Sequence, residues 1–294
     1  MLGLLLMGCL TGKSPAPTLQ APTPQEKPAK TLYSLIDVIE VDGRQGVAVD
    51  ENAIYISGSK TLSKYTKQGS QVLRLATPLE DYPVPANHIG DIDVYNGELY
   101  LGVEWFIDGQ GKDIQITIHD ANTLALKRSF PFAPSSGQKE VSGIAVDRDH
   151  KTVWMASWVG GDSGRHLYEY DLQTGKYLRK VAMDNPPQWI QGVFYHQGSL
   201  YLTADDGDAE RGEFDNLYKV SLQEETLGMV SLEKKFTEVK RVGEIEGLAF
   251  DASNGLLYVH FNRGKRIIQG MPKGLYPGYE KEIHEVYRYK ISSP

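Results

Sequence analysis

The sequence predicts an all-β protein in which small repeated sheets surround an axis, a β-propeller, and three observations predict it. First, one phrase occurs five times: an apolar residue or two around a Gly, an alternating strand, a turn, and a second strand bearing Tyr or Trp. Second, the phrases recur about every 50 residues, which is typical of propeller blades. Third, Val, Ile and Tyr dominate runs that are too short for helices. The phrase glycines are Gly46, Gly90, Gly143, Gly192 and Gly247.

The first repeat shows how a blade divides into four strands. We expect these at Gly46–Val49, Ala53–Ser57, Leu62–Thr66 and Gln71–Ala76, counted from the axis outwards. Asx and Gly residues between the strands supply the turn chemistry. The third strand recurs in the later repeats as Ile114–His119, Leu167–Asp171 and Leu217–Ser221.

The segment before the first phrase, Thr31–Val41, also alternates like a strand. We expect it to pair with the C-terminal segment IHEVYRYKI and close the ring, because closure removes exposed sheet edges. Five phrases predict five blades in one domain over residues 31–294. Six blades remain an alternative, since the stretches 105–113 and 222–241 are long enough to contain further strands.

The N-terminal residues predict a separate segment ahead of the propeller. Residues 1–8 are largely apolar and end in Leu6-Met7-Gly8 before the single Cys of the chain, Cys9. This arrangement resembles a bacterial lipoprotein signal, in which the chain is cut before the Cys and the Cys is lipidated. The resemblance implies a signal peptide at 1–8 and a lipid on Cys9. The alternative is a buried apolar segment with a free Cys.

Residues 9–30 read as a tether between this anchor and the propeller. Five of the 15 Pro of the chain lie in 14–30, which shows no apolar periodicity, so we expect an extended segment. Lipid, tether and compact domain together predict a protein of the bacterial cell envelope, on the outer-membrane or periplasmic side if the source has two membranes. We expect a monomer that meets the membrane through its lipid anchor only.

Composition excludes several function classes. A hydrophobic content of 40% and a charged content of 23% indicate a globular domain. The net charge of −7 argues against a nucleic-acid partner, which needs a basic face to neutralise phosphates. One Cys leaves no zinc-binding spacing, and no apolar run reaches the ~20 residues of a membrane-spanning helix.

Strand order predicts a ligand site on one face of the ring. Residues just before each phrase Gly and just after each second strand lie on the same face, near the axis. A funnel of acids, amides and Trp at this position suits a ligand. The alternative is that these side chains only satisfy backbone groups and ordered water. The candidate ligand-binding residues are Gln45, His88, Glu104, Trp105, Ser142, Trp158, Trp189, Gln191, Glu246 and Arg263.

The segment TADDGDAERGEFDNLY contains the densest acidic cluster of the chain. Carboxylate oxygens at this density could hold Ca²⁺, the one cofactor that the sequence suggests. The candidate metal ligands are Glu246, Asp205 and Asp206, and the alternative is a solvated acidic loop. We identify no catalytic residue, because the chain lacks a Ser-centred elbow, a P-loop and a dinucleotide fingerprint.

The phrases QGVAVDENAIYIS, SGIAVDRDHKTVWMAS and EGLAFDASNGLLYV resemble the inner-strand repeats of NHL-like and strictosidine-synthase-like propellers. Glu246-Gly247 and Asp205-Asp206 give a weaker resemblance to the five-bladed calcium-activated nucleotidases. That resemblance implies a central calcium, with Gln45, Ser142, Gln191 and Glu246 in the surrounding places. Gluconolactonase-like hydrolases hold their metal with a Glu, Asn and Asp set, in which Glu246 and Asp205 match the two carboxylates.

Two hypotheses from different classes follow. The first is a lipid-anchored propeller that binds a small molecule, a glycan or an envelope protein without chemistry. The second is a divalent-metal-dependent hydrolase, nucleotidase-like or lactonase-like, with its site at the propeller axis.

Overall fold

The computed structural model describes residues 31–131, 133–222, 226–239, 243–268 and 271–292. Their regular structure is almost entirely antiparallel strand, with two short 3-10 turns at Pro134–Ser136 and Ser163–Arg165. No helix in this part of the chain is long and apolar enough to cross a bilayer. The proposed signal and tether, residues 1–30, lie outside the described residues.

The strands group into four-stranded antiparallel units that follow the repeats. The first unit contains β2 (Val47–Val49), β3 (Ala53–Gly58), β4 (Thr61–Thr66) and β5 (Gln71–Leu75). The second contains β6 (His88–Tyr95), β7 (Glu98–Ile107), β8 (Gln110–Asp120) and β9 (Leu126–Pro131). The third contains β10 (Gly143–Asp147), β11 (Thr152–Ala156), β12 (His166–Asp171) and β13 (Tyr177–Met183).

Two further units complete the ring. The fourth contains β14 (Ile190–His196), β15 (Ser199–Ala204), β16 (Asn216–Leu222) and β17 (Leu227–Lys235). The fifth contains β18 (Gly243–Asp251), β19 (Leu256–Arg263), β22 (Ile283–Ser292) and, at its outer edge, β1 (Leu32–Val41). A separate hairpin, β20 (Lys265–Ile268) with β21 (Met271–Leu275), lies between β19 and β22 in the chain.

Aspartates fix the tight turns between strands. Asp50 Oδ1 accepts the backbone N–H groups of Asn52 and Ala53, both at 2.8 Å. This capping lets the chain reverse within two or three residues. The same arrangement recurs at Asp120, Asp147 and Asp171.

The core lies between neighbouring units, so both faces of an inner strand are buried. In β3, Ile54 and Ile56 pack with the fifth unit, including Phe261. The alternate residues Ala53 and Tyr55 pack with the second unit. The side-chain period of two therefore divides each strand between two cores.

The inner strands β2, β6, β10, β14 and β18 contact one another in a closed ring. At the axis their backbones approach so closely that a side chain does not fit. A Cβ on Gly192 would lie 2.7 Å from the Cα of Gly247, and one on Gly247 would lie 2.8 Å from the Cα of Gly46. The phrase glycines thus surround one axis, as predicted, although β6, β14 and β18 begin a few residues before their glycines.

The predicted closure by the two ends of the propeller is confirmed. β1 pairs antiparallel with β22, from Leu32 opposite Ser292 to Val41 opposite His284. In the two stretches that left room for a sixth blade, the described residues form parts of the β7–β8 hairpin and β17. One feature was not predicted: β13 pairs in parallel with β17, which joins the outer edges of the third and fourth units.

Candidate functional site

A cavity of about 320 Å³ lies on the axis, on the predicted face of the propeller. It lies where the inner strands begin and the second strands end. The structure brings six predicted ligand-binding residues to its wall: Gln45, His88, Ser142, Trp158, Gln191 and Glu246.

The other four candidates lie elsewhere. Glu104 is fully buried behind the wall, with Oε1 3.3 Å from Nδ1 of His88. Trp105 is 40% exposed and does not line the cavity. Trp189 lines a separate depression on the other side of Trp158, beside two prolines. Arg263 forms a 2.5 Å ion pair with Glu285, its diagonal neighbour across the β19–β22 pair, since Arg263 itself lies opposite Ile283.

Several residues of the wall were missed by sequence reasoning. They are Arg44, Phe106, Glu140, Glu244 and the hairpin residues Ile267, Met271 and Pro272. Glu244 was predictable, since a period of two along β18 places it on the same side as Glu246. The hairpin carried no such signal, because it is an insertion that the repeat pattern does not contain.

Arg44 organises one side of the cavity. Its guanidinium Nη2 lies 2.9 Å from Glu244, 3.3 Å from Glu282 and 3.9 Å from Glu246. Gln191 Nε2 donates to the Oε1 atom of Glu244 at 2.9 Å. This side is therefore a partly buried network in which Arg44 contacts three carboxylates, one of which, Glu282, also pairs with Lys265 at 3.7 Å.

Glu246 is the most deeply buried acid of that network. Burial raises the pKa of Glu246 well above its usual range, Glu244 adds to the rise, and Arg44 opposes it. Asn262 Nδ2 donates to Glu246 Oε1 at 2.5 Å. These contacts hold the carboxyl group in place whether or not it is ionised.

The opposite side combines aromatic rings with carboxyl groups. The rings of His88 and Phe106 are 5.4 Å apart, and Phe106 meets Trp158 edge-on at 6.4 Å. Glu140 is buried beside them and accepts the backbone N–H of Trp158. Burial lowers the pKa of His88 to about 4, so the imidazole is neutral at neutral pH.

Two carboxyl groups on this side influence each other. Burial raises the pKa of Glu104 to about 8. Burial and the neighbouring Glu104 carboxyl raise the pKa of Glu140 well above its usual range. Glu104 also accepts the backbone N–H of Val141 at 3.0 Å. At neutral pH this pair carries at least one proton.

Two polar groups of cavity-lining residues have no hydrogen-bond partner among the described residues. They are the buried Oγ of Ser142 and the buried Nε of Arg44. Buried donors without partners are uncommon and each calls for an explanation, such as a bound ligand or water.

The candidate metal ligands do not fit a metal ion. Asp206 is engaged by Asn216 at 2.7 Å and by the hydroxyl of Tyr218. Asp205 is buried beside Asp215, and its pKa is raised by burial first, then by Asp215, and also by Glu244, Glu246 and Asp206. Glu246 faces Arg44 and Asn262 instead. No group of three or more acidic, His or Cys side chains in the described part of the chain could hold a metal.

Among the comparisons with solved structures, the match to the WD40 repeats of RRP9 supports the fold. The WD40 repeats of RRP9 match with a TM-score of 0.50 and 11% identity, over 90% of this chain and 99% of that one. The PQQ-bound aldose sugar dehydrogenase of Streptomyces coelicolor matches with a TM-score of 0.48 and 11% identity, over 90% and 99%. A gluconolactonase of Xanthomonas campestris matches with a TM-score of 0.46 and 10% identity, over 89% and 96%.

The fold and the cavity define a class: this is a β-propeller protein with a polar and aromatic axial cavity. No protein-family model matches the chain. No curated protein matches it either. At these identities the structural similarity concerns the fold alone.

Proposed function

We propose that the protein is a lipid-anchored bacterial envelope protein whose propeller binds a small molecule in the axial cavity, without chemistry of its own. One observation carries the binding proposal. Six residues predicted from strand order converge on one cavity, among them Ser142, whose buried hydroxyl has no partner in the described part of the chain.

The size and lining of the cavity support a small ligand. A volume of about 320 Å³ lies within the range of small-molecule sites. The wall combines aromatic surface with a few polar groups, which is the usual composition of such sites. A glycan end or a side chain of an envelope protein would have to fit the same space.

The anchoring proposal rests on the sequence around Cys9 and on the position of β1. The first described strand runs along the outer edge of the fifth unit, where Leu32 is exposed. The chain therefore enters the propeller at its perimeter, and a tether arriving there would leave the axial cavity accessible.

A metal-dependent hydrolase is the weaker candidate. Its proposed ligands Glu246, Asp205 and Asp206 are each engaged by other side chains, and no group of three or more acidic, His or Cys side chains among the described residues could hold a metal ion. We derive no catalytic step for this protein.

Two tryptophans allow a matched test of the binding proposal. A thermal-shift screen of small metabolites and glycans against the wild type should find compounds that raise Tm, because a ligand that binds only the folded state stabilises it. Trp158→Ala should abolish the shift, whereas Trp105→Ala, which removes an exposed ring outside the cavity, should retain it. Equal shifts in both variants would show that the ligand binds elsewhere.

A further inference from the structure

We infer that the ligand of the axial cavity is an organic ammonium ion, whose charged end lies between Trp158, Phe106 and the carboxylate of Glu140. The inference rests on the proposed function and adds the chemical class of the ligand. It follows from the charges, the rings and the size of the cavity.

The wall of the cavity has more carboxyl groups than cationic groups. Three carboxyl side chains line it, Glu140, Glu244 and Glu246, with Arg44 as the cation of the wall. Arg44 is engaged by Glu244, Glu246 and Glu282. Glu140 forms no ion pair with any described Lys, Arg or His. The hydrogen bonds that it accepts, from the backbone N–H groups of Trp158 and Val159 and from the side chain of Ser157, all come from uncharged donors. A cationic ligand would supply the missing partner.

The aromatic rings select an organic cation over a metal ion. A positive group near the face of an aromatic ring is attracted by the quadrupole of the ring, and this attraction grows in a desolvated site. Phe106 and Trp158 lie next to Glu140, and carbon rings cannot ligate a metal. A volume of about 320 Å³ also exceeds the need of a bare ion. Ile267, Met271 and Pro272 add an apolar wall for the body of the ligand.

The pH dependence of the binding affinity should distinguish an ammonium ligand from a neutral ligand. Burial and Glu104 raise the pKa of Glu140, so the empty site retains protons at neutral pH. An ammonium ion beside Glu140 favours its ionised form, and binding therefore releases a proton. Affinity should therefore rise with pH over the range in which Glu140 keeps its proton in the empty site. A sugar or another neutral ligand gains nothing from ionisation and should show no such increase.

The test uses choline, whose charge does not change with pH, and its neutral isostere 3,3-dimethylbutan-1-ol. Isothermal titration calorimetry on the full chain should show choline binding, with the isostere about tenfold weaker or worse. Choline affinity should increase between about pH 6 and about pH 8.5. Glu140→Gln should lower it about tenfold and remove the pH dependence, while Glu80→Gln, at an exposed site outside the cavity, should have no effect.

Variants of Trp158 keep the test valid if Glu140→Gln fails to fold. Trp158 is only partly buried, and Trp158→Phe should retain more choline affinity than Trp158→Leu, since Phe keeps an aromatic face. Equal binding of choline and its isostere, or a flat pH profile, would overturn the ammonium assignment. The cavity would still be supported as the binding site if Trp158→Ala abolished the Tm shifts caused by other compounds. Failure of every compound in the screen would instead reject the proposed function.

Discussion

Single residues at the axis show how strongly the ring limits side-chain size. Gly192 lies where its Cβ would be 2.7 Å from both the Cα of Gly247 and the Oγ1 of Thr203. One of these neighbours is backbone and cannot move aside cheaply. Gly160 offers the contrast, because a Cβ there meets no atom within 4 Å.

We expect Gly192→Ala to reduce the free energy of unfolding by about 1–3 kcal/mol, the usual cost of overpacking. Gly160→Ala should change it by no more than about 0.5 kcal/mol, as surface substitutions usually do. Urea denaturation of both variants beside the wild type measures the difference. Equal midpoints for the two variants would show that the inner strands are further apart than described.

Burial of a single side chain, Glu104, should make the stability of the protein depend on pH. Burial raises its pKa from 4.5 to about 8, so the folded state binds a proton that the unfolded state releases. The contribution to stability is complete below about pH 4.5 and is lost as pH rises through about 8.

Glu104→Gln is neutral at every pH and keeps an oxygen that can accept from Val141. The free energy of unfolding of this variant, relative to the wild type, should therefore increase from about pH 5 to about pH 8, by at most about 1.4 kcal/mol per pH unit. Urea denaturation across this interval measures the change, with Glu80→Gln as the exposed control. A difference that does not vary with pH would mean that Glu104 is ionised throughout.

Strand β1 closes the ring by pairing with β22. It covers the outer edge of the fifth unit and pairs with β22 along its length, including the ion pair of Asp37 with Arg288. Tyr33 donates to Glu233 at 2.8 Å and so connects β1 to β17 of the fourth unit.

Deleting residues 1–41 should therefore lower Tm strongly and expose the edge of β22 to aggregation, because this pairing is lost. A deletion that stops at residue 30 leaves the pairing in place and should retain a Tm close to that of the full chain. Circular dichroism melting and size-exclusion chromatography of both truncations measure the outcome. Similar behaviour of the two would argue against closure by β1.

The β20–β21 hairpin contributes to the wall of the axial cavity and not to the hydrophobic core. Met271 is 49% exposed and lines the cavity, while Leu275 is 41% exposed on the same strand and does not. Met271→Ser should weaken a ligand found in the screen about threefold or more, because apolar contact is lost, and Leu275→Ser should not. Neither substitution should change Tm by more than a few degrees. Calorimetry measures the ligand affinity of both variants. An equal loss of affinity in the two would indicate that the hairpin contributes as a whole and not through Met271.

At the scale of the whole molecule, the ring is closed by its own N-terminal strand and Cys9 precedes that strand in the chain. Anchoring and folding should therefore be separable. Cys9→Ser in the natural host should move the protein from the membrane fraction to the soluble fraction and leave the Tm of the propeller unchanged. Fractionation and thermal melting measure these two properties. A variant that still sediments with membranes would point to another attachment.

The repeating architecture follows from patterns that can be seen in the sequence. The phrase Gly positions, the Asp-capped turns and the alternation in β3 are local patterns, and each follows from the geometry of a strand or a turn. Closure was predictable for the same reason, since Thr31–Val41 alternates and an unpaired edge is unfavourable.

The composition of the cavity, in contrast, depends on contacts between segments that are distant in the sequence. Arg44 reaches Glu244 and Glu246 across about 200 residues of sequence because ring closure places β18 beside β2. No local pattern shows that these carboxylates face a guanidinium, which is why Glu246 could be interpreted as a metal ligand. Likewise the β20–β21 insertion and the burial of Glu140 beside Trp158 depend on contacts between distant segments. Chain periodicity specifies strands, whereas the chemistry at the axis depends on which loops the closed ring brings together.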